Sequence, residues 1–203
     1  MPPSDAPGTR AYEETCAIEQ VLDGDAEAYA LLVHRYGGAL FRYLVRMVKG
    51  HDAAEDLTQE AFLRAYLSLA SYDARYRFST WLFRIATNLA LNWIKAEKRL
   101  IRIEALRSSP DDPTPELVNG SEADRPERWA ERVELAQLVQ ECLEELPPAY
   151  RTVVALRHIA DLSYQEIAES TDLPLNTVRS RLHRGRERLG ECLEKYMPEE
   201  ESR

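Results

Sequence analysis

The segment Leu162–Leu182 reads LSYQEIAESTDLPLNTVRSRL and has the spacing of two short helices joined by a tight turn. Ser163 and Glu166 stand three residues apart, which is the capping-box spacing that begins a helix. The turn is expected over residues 172–176. The segment therefore predicts a helix-turn-helix.

The second helix of this pair carries a dense basic surface. Asn176 or Thr177 is expected to cap it. Residues 174–190 contain five arginines against a single acid, Glu187. The residues expected to face inward are Val178, Leu182 and Leu189.

Arginine suits both phosphate neutralisation and bidentate contact with guanine, and the first turns of a recognition helix are the part that reaches base edges. The basic helix therefore favours a contact with duplex DNA. A solvated face, or a docking surface for an acidic partner, stays open as the alternative. That alternative weighs equally for Arg186 and Arg188 in the last turn.

A second basic zone lies upstream, where residues 71–107 carry eight basic against three acidic residues. Its loop, SYDARYRF at 71–78, mixes aromatic residues with arginines, and stacking plus a cationic track is how single strands are held. The helix that follows is expected to bury Phe78 and Trp93 in the core and to present a polar face on its other side. The candidates for contact are Tyr72, Arg75, Tyr76, Arg77, Trp81, Arg84, Asn88, Asn92 and Lys95.

An acidic face with one apolar residue is predicted on the helix expected over 52–70, for which Asp52 is the expected cap. Like charges four residues apart repel slightly on a helix, so a basic partner would relieve them, but solvation alone would suffice. Both interpretations stay open on the residues alone. The face consists of Asp56, Gln59, Glu60 and Leu63.

The remaining pattern predicts an all-α chain. Apolar residues recur at three- and four-residue steps over 26–48, 52–70 and 79–102, and these three helices can close one core. Residues 108–126 are rich in proline and lack this periodicity, which predicts a linker. We expect two small helical domains joined by a flexible linker, with the helix-turn-helix in the second.

Composition excludes several classes of protein. The chain of 203 residues has a net charge of −9, which argues against binding nucleic acid by bulk positive charge. No signal peptide or membrane span is recognisable, so a cytoplasmic protein is expected. Cys16, Cys142 and Cys192 predict neither a disulfide framework nor a zinc site, and Cys142 is expected to be a small core residue. No catalytic motif, metal site or cofactor site is predicted.

Four motifs stand in a fixed order along the chain. They are DLTQEAF at 56–62, FSTWLFRIATN at 78–88, LPPAYR at 146–151 and TVRSRLHR at 177–184. In this order and at these separations they resemble a bacterial sigma factor of the extracytoplasmic-function (ECF) group, which keeps only conserved regions 2 and 4. The resemblance covers about residues 20–195.

The resemblance implies that the chain joins core RNA polymerase and directs promoter-specific initiation without catalysing a covalent step. Region 2 is expected over 11–105, an acidic Pro-rich linker over 106–128, and region 4 over 129–196. Asp56, Gln59, Glu60 and Leu63 are expected to face the clamp helices of the polymerase β′ subunit, and region 4 the β flap.

Two promoter contacts are implied as well. The loop and polar helix face described above are expected to capture the melted non-template strand of the −10 element. The recognition helix is expected to bind the −35 duplex through Thr177, Arg179, Ser180, Arg181, His183 and Arg184. Because the net charge is negative, the free protein is expected to bind promoter DNA weakly.

The resemblance also implies an anti-sigma factor as a partner and no insertion into a membrane. Two other classes are kept as alternatives. One is a helix-turn-helix repressor or activator that binds palindromic DNA without polymerase. The other is an interaction protein whose arginines are only solvated.

Overall fold

The computed structural model describes residues 7–107 and 127–196, with side chains over 12–103 and 134–196, and every regular element in these ranges is helical. The predicted linker segment 108–126 lies outside the described residues. Within them, no helix is long and apolar enough to cross a bilayer, and no cluster of metal-ligating side chains occurs. The helices are α1 (Pro7–Leu22), α2 (Tyr29–Met47), α3 (His51–Leu67), α4 (Phe78–Arg107), α5 (Glu127–Glu145), α6 (Pro148–His158), α7 (Tyr164–Thr171) and α8 (Leu175–Tyr196).

The N-terminal half is a bundle of α1 to α4, with 3₁₀ turns at Ala26–Ala28 and Leu69–Ser71. Its buried phenols are satisfied across helices: the Tyr43 hydroxyl bonds Thr87 Oγ1 at 2.8 Å, and the Tyr29 hydroxyl donates to the Phe62 carbonyl. Each side chain can be buried because its polar atom keeps a partner. Helix α1, which the residue pattern did not predict, packs against α2 as the fourth helix of the bundle.

The start of α3 differs from the prediction. Helix α3 begins at His51, and the residue before it, Gly50, has φ of +90°, a conformation that glycine adopts without strain. Asp52 therefore lies inside the first turn and makes no capping hydrogen bond through its side chain. The prediction that Asp52 caps the helix is wrong, because the chain turns at Gly50 and the helix already begins at His51.

The C-terminal half contains the predicted helix-turn-helix in α7 and α8. Its capping box is confirmed: Glu166 N–H donates to Ser163 Oγ, and Ser163 N–H donates to Glu166 Oε2 at 2.8 Å. The left-handed residue of the turn is Asp172, with φ of 54°. Because α8 already begins at Leu175, the expected caps Asn176 and Thr177 lie in its first turn, and that prediction is wrong.

The two halves share one continuous apolar core, which the sequence did not indicate. Arg151 of α6 reaches across it and donates to the Met47 carbonyl at 2.9 Å, as well as to the carbonyls of Glu144 and Leu146. Arg46 of α2 donates to the Gln140 side chain at 2.8 Å. The ends of α2 and α5 are thereby fixed to α6.

A disulfide joins Cys142 of α5 to Cys192 of α8. This corrects the expectation of no disulfide and of Cys142 as a reduced core residue. The two cysteines are 50 residues apart in sequence, so no short spacing motif indicates that they pair. The packing of α8 on α5 brings them together. Cys16 is the remaining free thiol.

Reducing the disulfide should lower the free energy of unfolding. The loop-closure entropy of a 50-residue separation corresponds to about 4 kcal/mol, which is an upper value. Urea denaturation followed by circular dichroism, with and without dithiothreitol, measures the change. A Cys142→Ser/Cys192→Ser variant should not respond to the reductant, whereas Cys16→Ser should respond like wild type. Equal stability of the oxidised and reduced wild type would contradict the prediction.

Helices α6 and α8 approach closely at Gly185. A Cβ at this position would lie 2.7 Å from Val154 Cγ2, closer than such atoms approach in proteins. Gly190, one and a half turns further along α8, has open space at the same position. The close approach of the two helices at this point therefore requires a residue without a side chain at 185 but not at 190.

Gly185→Ala should lower the free energy of unfolding by about 1–3 kcal/mol, because the added methyl group overpacks the helix contact. Gly190→Ala is the matched control and should raise it by about 0.5–1 kcal/mol, since alanine is the better helix former. Urea denaturation of both variants tests the pair. Similar changes at the two positions would show that α6 and α8 do not meet at Gly185.

Candidate nucleic-acid interface

Three aromatic rings support the loop before α4. The Tyr72 ring lies 5.3 Å from Trp81 and 5.8 Å from Phe78 between ring centroids, and the Tyr72 hydroxyl donates to the Tyr76 carbonyl at 2.6 Å. Phe78 is fully buried, as predicted, while Trp93 is partly buried against the core. Burial raises the pKa of Tyr72 to about 12, with a smaller contribution from nearby carboxylates. Tyr72 thus stabilises the loop by packing against Phe78 and Trp81 and by its hydrogen bond to the Tyr76 carbonyl.

A cavity of about 380 Å³ opens beside this cluster. Tyr76, whose side chain is 45% exposed, forms part of its wall together with Trp81 and Arg84. Thr80 also lines it, and its buried Oγ1 has no hydrogen-bond partner. The sequence analysis did not single out Thr80, because it stands among the apolar residues of the α4 core stripe.

The polar face of α4 is exposed as predicted. Asn88, Asn92 and Lys95 continue along the helix from Arg84 and all point to solvent. Aromatic and cationic groups at the cavity are thus followed along α4 by two exposed amides and a lysine. We call this surface, Tyr76 with the exposed face of α4 from Trp81 to Lys95, the strand face.

The arginines of this region are paired with carboxylates. Arg75 forms a salt bridge with Asp73 in its own loop, and this hydrogen bond lowers the pKa of the Asp73 carboxyl. Arg77 Nη1 lies 3.1 Å from Glu166 Oε1, which belongs to α7. Arg84 Nη2 likewise lies 2.5 Å from an oxygen of Asp172 at the end of α7. No local pattern of residues indicates either of these long-range pairs.

Glu166 has two roles at the N-terminal end of α7. Burial alone would raise the pKa of its carboxyl. The hydrogen bonds from Ser163 and the charge of Arg77 together lower it by more, so the pKa lies below its usual value. The carboxylate therefore stays ionised near neutral pH. It caps α7 and at the same time pairs with Arg77 in the loop before α4.

The exposed face of α8 contains most of the predicted −35 residues. Arg179, Ser180, His183 and Arg184 are exposed, whereas Thr177 and Arg181 are partly buried. Val178 and Leu182 are buried on the opposite side, and Leu189 packs against the core, as predicted. The helix thus turns its basic side to solvent over its first three turns.

The basic residues in the middle of α8 make contacts within the chain. Arg186 Nε donates to His158 Nε2 at 3.2 Å, and Arg188 lies over the Tyr150 ring at 5.2 Å. Burial and the neighbouring arginines lower the pKa of His158, which keeps it neutral and able to accept the hydrogen bond. These contacts give Arg186 and Arg188 a structural role.

The predicted acidic face of α3 is present on the far side of the bundle. Asp56 and Gln59 are exposed, and Glu60 bonds Arg64 one turn further along at 2.6 Å. Leu63 is 52% exposed, and Leu67, which the sequence analysis did not include, is 72% exposed one turn later. The face is therefore an apolar ridge flanked by carboxylates, a surface suited to a partner protein.

Comparison with known families finds two matches in chain order. The family described as Sigma-70 region 2 matches residues 32–100, and Sigma-70 region 4 matches residues 136–189. The first range includes α3 and α4, and the second includes the helix-turn-helix. The candidate surfaces on α3, α4 and α8 thus all lie within matched ranges.

Full-length relatives extend these matches. The chain is 38% identical to the ECF RNA polymerase sigma factor SigW of Bacillus subtilis over 172 residues, 85% of this chain and 92% of the relative. It is 35% identical to the ECF RNA polymerase sigma-E factor of Haemophilus influenzae over 89% of this chain and 95% of the relative. These similarities span both helical halves.

Solved structures share the fold. CnrH, in complex with the cytosolic domain of CnrY, superimposes with a TM-score of 0.66 at 26% identity over 90% of this chain and 98% of that one. The sigma factor RpoE of Bartonella quintana, in complex with the anti-sigma factor NepR, gives 0.64 at 21% identity over 83% and 98%. The all-α arrangement of two helical halves is therefore confirmed.

Proposed function

The chain belongs to the extracytoplasmic-function group of sigma-70-type RNA polymerase sigma factors, and we propose that α3, α4 and α8 divide the work of promoter-specific initiation among them. The observation that supports this most is the order of the two matched regions, the first of which contains the α3 face and the strand face and the second the exposed face of α8. An initiation factor of this kind binds core polymerase, directs it to a promoter and catalyses no covalent step itself.

Helix α3 is the surface for core polymerase in this proposal. Asp56, Gln59 and Glu60 supply acidic and amide groups, and the exposed Leu63 and Leu67 supply an apolar ridge beside them. The proposed partner is the pair of clamp helices of the β′ subunit. The proposed partner of the C-terminal half is the β flap.

The strand face captures the melted −10 element. Tyr76 and Trp81 offer ring surfaces at the cavity, and each base stacked on an aromatic ring contributes about 1–3 kcal/mol. Asn88 and Asn92 donate and accept hydrogen bonds further along α4, and Lys95 neutralises phosphate. Tyr72, predicted as a stacking residue, acts in this proposal by holding the loop that carries Tyr76.

Helix α8 reads the −35 duplex. Arg179, Ser180, His183 and Arg184 are the exposed residues of its first three turns, where a recognition helix reaches base edges in the major groove. Thr177 and Arg181 are partly buried and contact phosphates at the groove edge. Arg75 and Arg77 contact the backbone of the −10 strand from the loop.

An anti-sigma factor is the proposed regulatory partner, and the bacterial cytoplasm, where transcription takes place, is the proposed location. The alternative of a helix-turn-helix regulator acting without polymerase is not favoured, because it leaves the region 2 match over 32–100 without a role. The same match disfavours a pure interaction protein.

The proposed function is tested by abortive transcription with purified bacterial core polymerase on a library of promoter fragments, with and without this protein. Sequence-selective initiation should appear only when the protein is present. An Asp56→Lys/Leu63→Ala variant should lose it, because the α3 surface is disrupted, while Tyr12→Ala on α1 should not. Retention of duplex DNA without core, combined with no initiation, would support the repressor alternative and contradict the proposal.

Stacking at the strand face gives a separate prediction. Tyr76→Ala and Trp81→Ala should each lower the equilibrium of promoter opening by about tenfold, as expected for the loss of one base stack. Opening is measured by 2-aminopurine fluorescence in the −10 element of a fragment selected above. Tyr12→Ala, which removes an exposed ring from α1, is the control. Unchanged promoter opening in a folded Trp81→Ala variant would show that no base stacks on Trp81.

A further inference from the structure

Helix α1 lies outside the range that the region 2 family matches. That range begins at residue 32, whereas α1 spans Pro7–Leu22. The helix nevertheless packs against α2 and against the turn Leu69–Ser71, which leads into the loop before α4. The proposed function assigns no role to α1, although the helix reaches the base of the loop that carries Tyr76.

One side chain of α1 makes a hydrogen bond in this region. The Tyr36 hydroxyl of α2 donates to Glu14 Oε2. The Glu14 side chain is only 17% exposed, and Arg35 Nη1 lies 4.0 Å from the same oxygen, so the carboxylate has both a donor and a nearby positive charge. Burial raises the pKa of Tyr36 and the hydrogen bond to Glu14 raises it further, so the phenol stays protonated and remains a donor.

The Tyr36 ring connects this hydrogen bond to the strand face. It lies 5.6 Å from the Phe78 ring between centroids, and the Phe78 ring lies 5.7 Å from that of Trp81. Phe78 is fully buried in a close-packed core, so its ring cannot shift without displacing its neighbours. The contacts thus run without interruption from Glu14 on α1 to Trp81 at the cavity.

Tyr72 is the second ring that holds Trp81, and Glu14 lies near it as well. The Tyr72 ring lies 5.3 Å from Trp81 and 5.8 Å from Phe78 between centroids. Burial raises the pKa of Tyr72 most, and the negative charge of Glu14 contributes next. Both rings that pack against Trp81 therefore adjoin the pair formed by Glu14 and Tyr36.

We propose that Glu14 and Tyr36 are positioning residues for capture of the melted −10 strand, so that α1 belongs to the promoter-opening apparatus without contacting the DNA itself. Their hydrogen bond fixes the Tyr36 ring against Phe78, and Phe78 fixes the orientation in which Trp81 meets a base. A binding site that is already ordered loses less conformational entropy on binding. This inference rests on the proposed function, because it assumes that a base of the melted strand stacks on Trp81.

Tyr43 provides a matched comparison on the same helix. It lies about two turns further along α2, and its hydroxyl also bonds a side chain of another helix, Thr87 of α4. Its ring packs against Phe83. Tyr36→Phe and Tyr43→Phe therefore each remove one hydrogen bond between helices and leave the ring in place, but only Tyr36 contacts the rings beneath the strand face.

The test uses the full-length protein with core polymerase and measures opening by 2-aminopurine fluorescence in the −10 element of a selected promoter fragment. Tyr36→Phe and Glu14→Ala should each lower the opening equilibrium about three- to tenfold, which corresponds to the loss of one hydrogen bond. Glu14→Gln should open the promoter like wild type, because its amide oxygen still accepts from Tyr36. Tyr43→Phe should stay within about twofold of wild type, because it lies apart from the strand face.

Two further measurements separate positioning from stability. Urea denaturation should show similar losses in the free energy of unfolding for Tyr36→Phe and Tyr43→Phe. Binding of the holoenzyme to a duplex that carries the −35 element without a −10 element should be the same for all variants, because the contacts of α8 are unchanged. A loss of promoter opening in Tyr43→Phe as large as that in Tyr36→Phe would overturn the proposal, as would a Glu14→Gln variant that opens no better than Glu14→Ala.

A double-mutant cycle tests whether Tyr36 acts through Trp81. In a Trp81→Ala background, Tyr36→Phe should change promoter opening by less than about twofold, because the ring that it positions is absent. Full additivity of the two substitutions would contradict the proposed route.

Wild-type behaviour distinguishes this proposal from the proposed function. If the wild-type protein neither directs initiation nor opens the promoter, the function fails and the positioning role falls with it. If wild type opens the promoter and a folded Tyr36→Phe variant opens it equally well, only the positioning role is refuted.

Discussion

The guanidinium group of Arg151 determines how the two halves of the molecule are joined. It is buried at the point where α2 and α5 end, and it donates to the carbonyls of Met47, Glu144 and Leu146. Carbonyls at helix ends lack partners within their own helix and carry partial negative charge, so a buried cation is stabilised there. Burial lowers the pKa of Arg151, although nearby carboxylates partly oppose this effect. Removing the side chain would leave two helix ends unsatisfied inside the core.

This joint explains why surfaces from distant parts of the sequence come to lie together. With α6 held against α2, the helix-turn-helix that follows is brought over α4, and the two ends of α7 meet Arg77 and Arg84. The α3 face and the exposed side of α8 remain accessible in the same arrangement. The faces of α3 and α8 are thus exposed, while α7 packs on α4 and borders the cavity beside Tyr76 and Trp81.

Local patterns in the sequence predicted the helices well, because periodicity and capping act over a few residues. The capping box at Ser163 and Glu166, the inward Val178 and Leu182, and the exposed polar face of α4 are all present. Long-range pairs were not predictable in this way. The Cys142–Cys192 bridge, the Arg84–Asp172 pair and the contacts of Arg151 each depend on packing between helices far apart in sequence. The predictions of Asp52 and Asn176 as caps were wrong for a local reason. The two helices begin earlier than predicted, at His51 after Gly50 and at Leu175.

The hydrogen bond from the Tyr72 hydroxyl to the Tyr76 carbonyl has a kinetic consequence. It holds the loop in its folded shape before any nucleic acid arrives, with Phe78 and Trp81 packed beneath it. The conformational entropy of ordering this loop is therefore lost during folding and not during binding. A preorganised loop needs no rearrangement on encounter, so in the proposed function the rate of strand capture is set by how often an unstacked base presents itself.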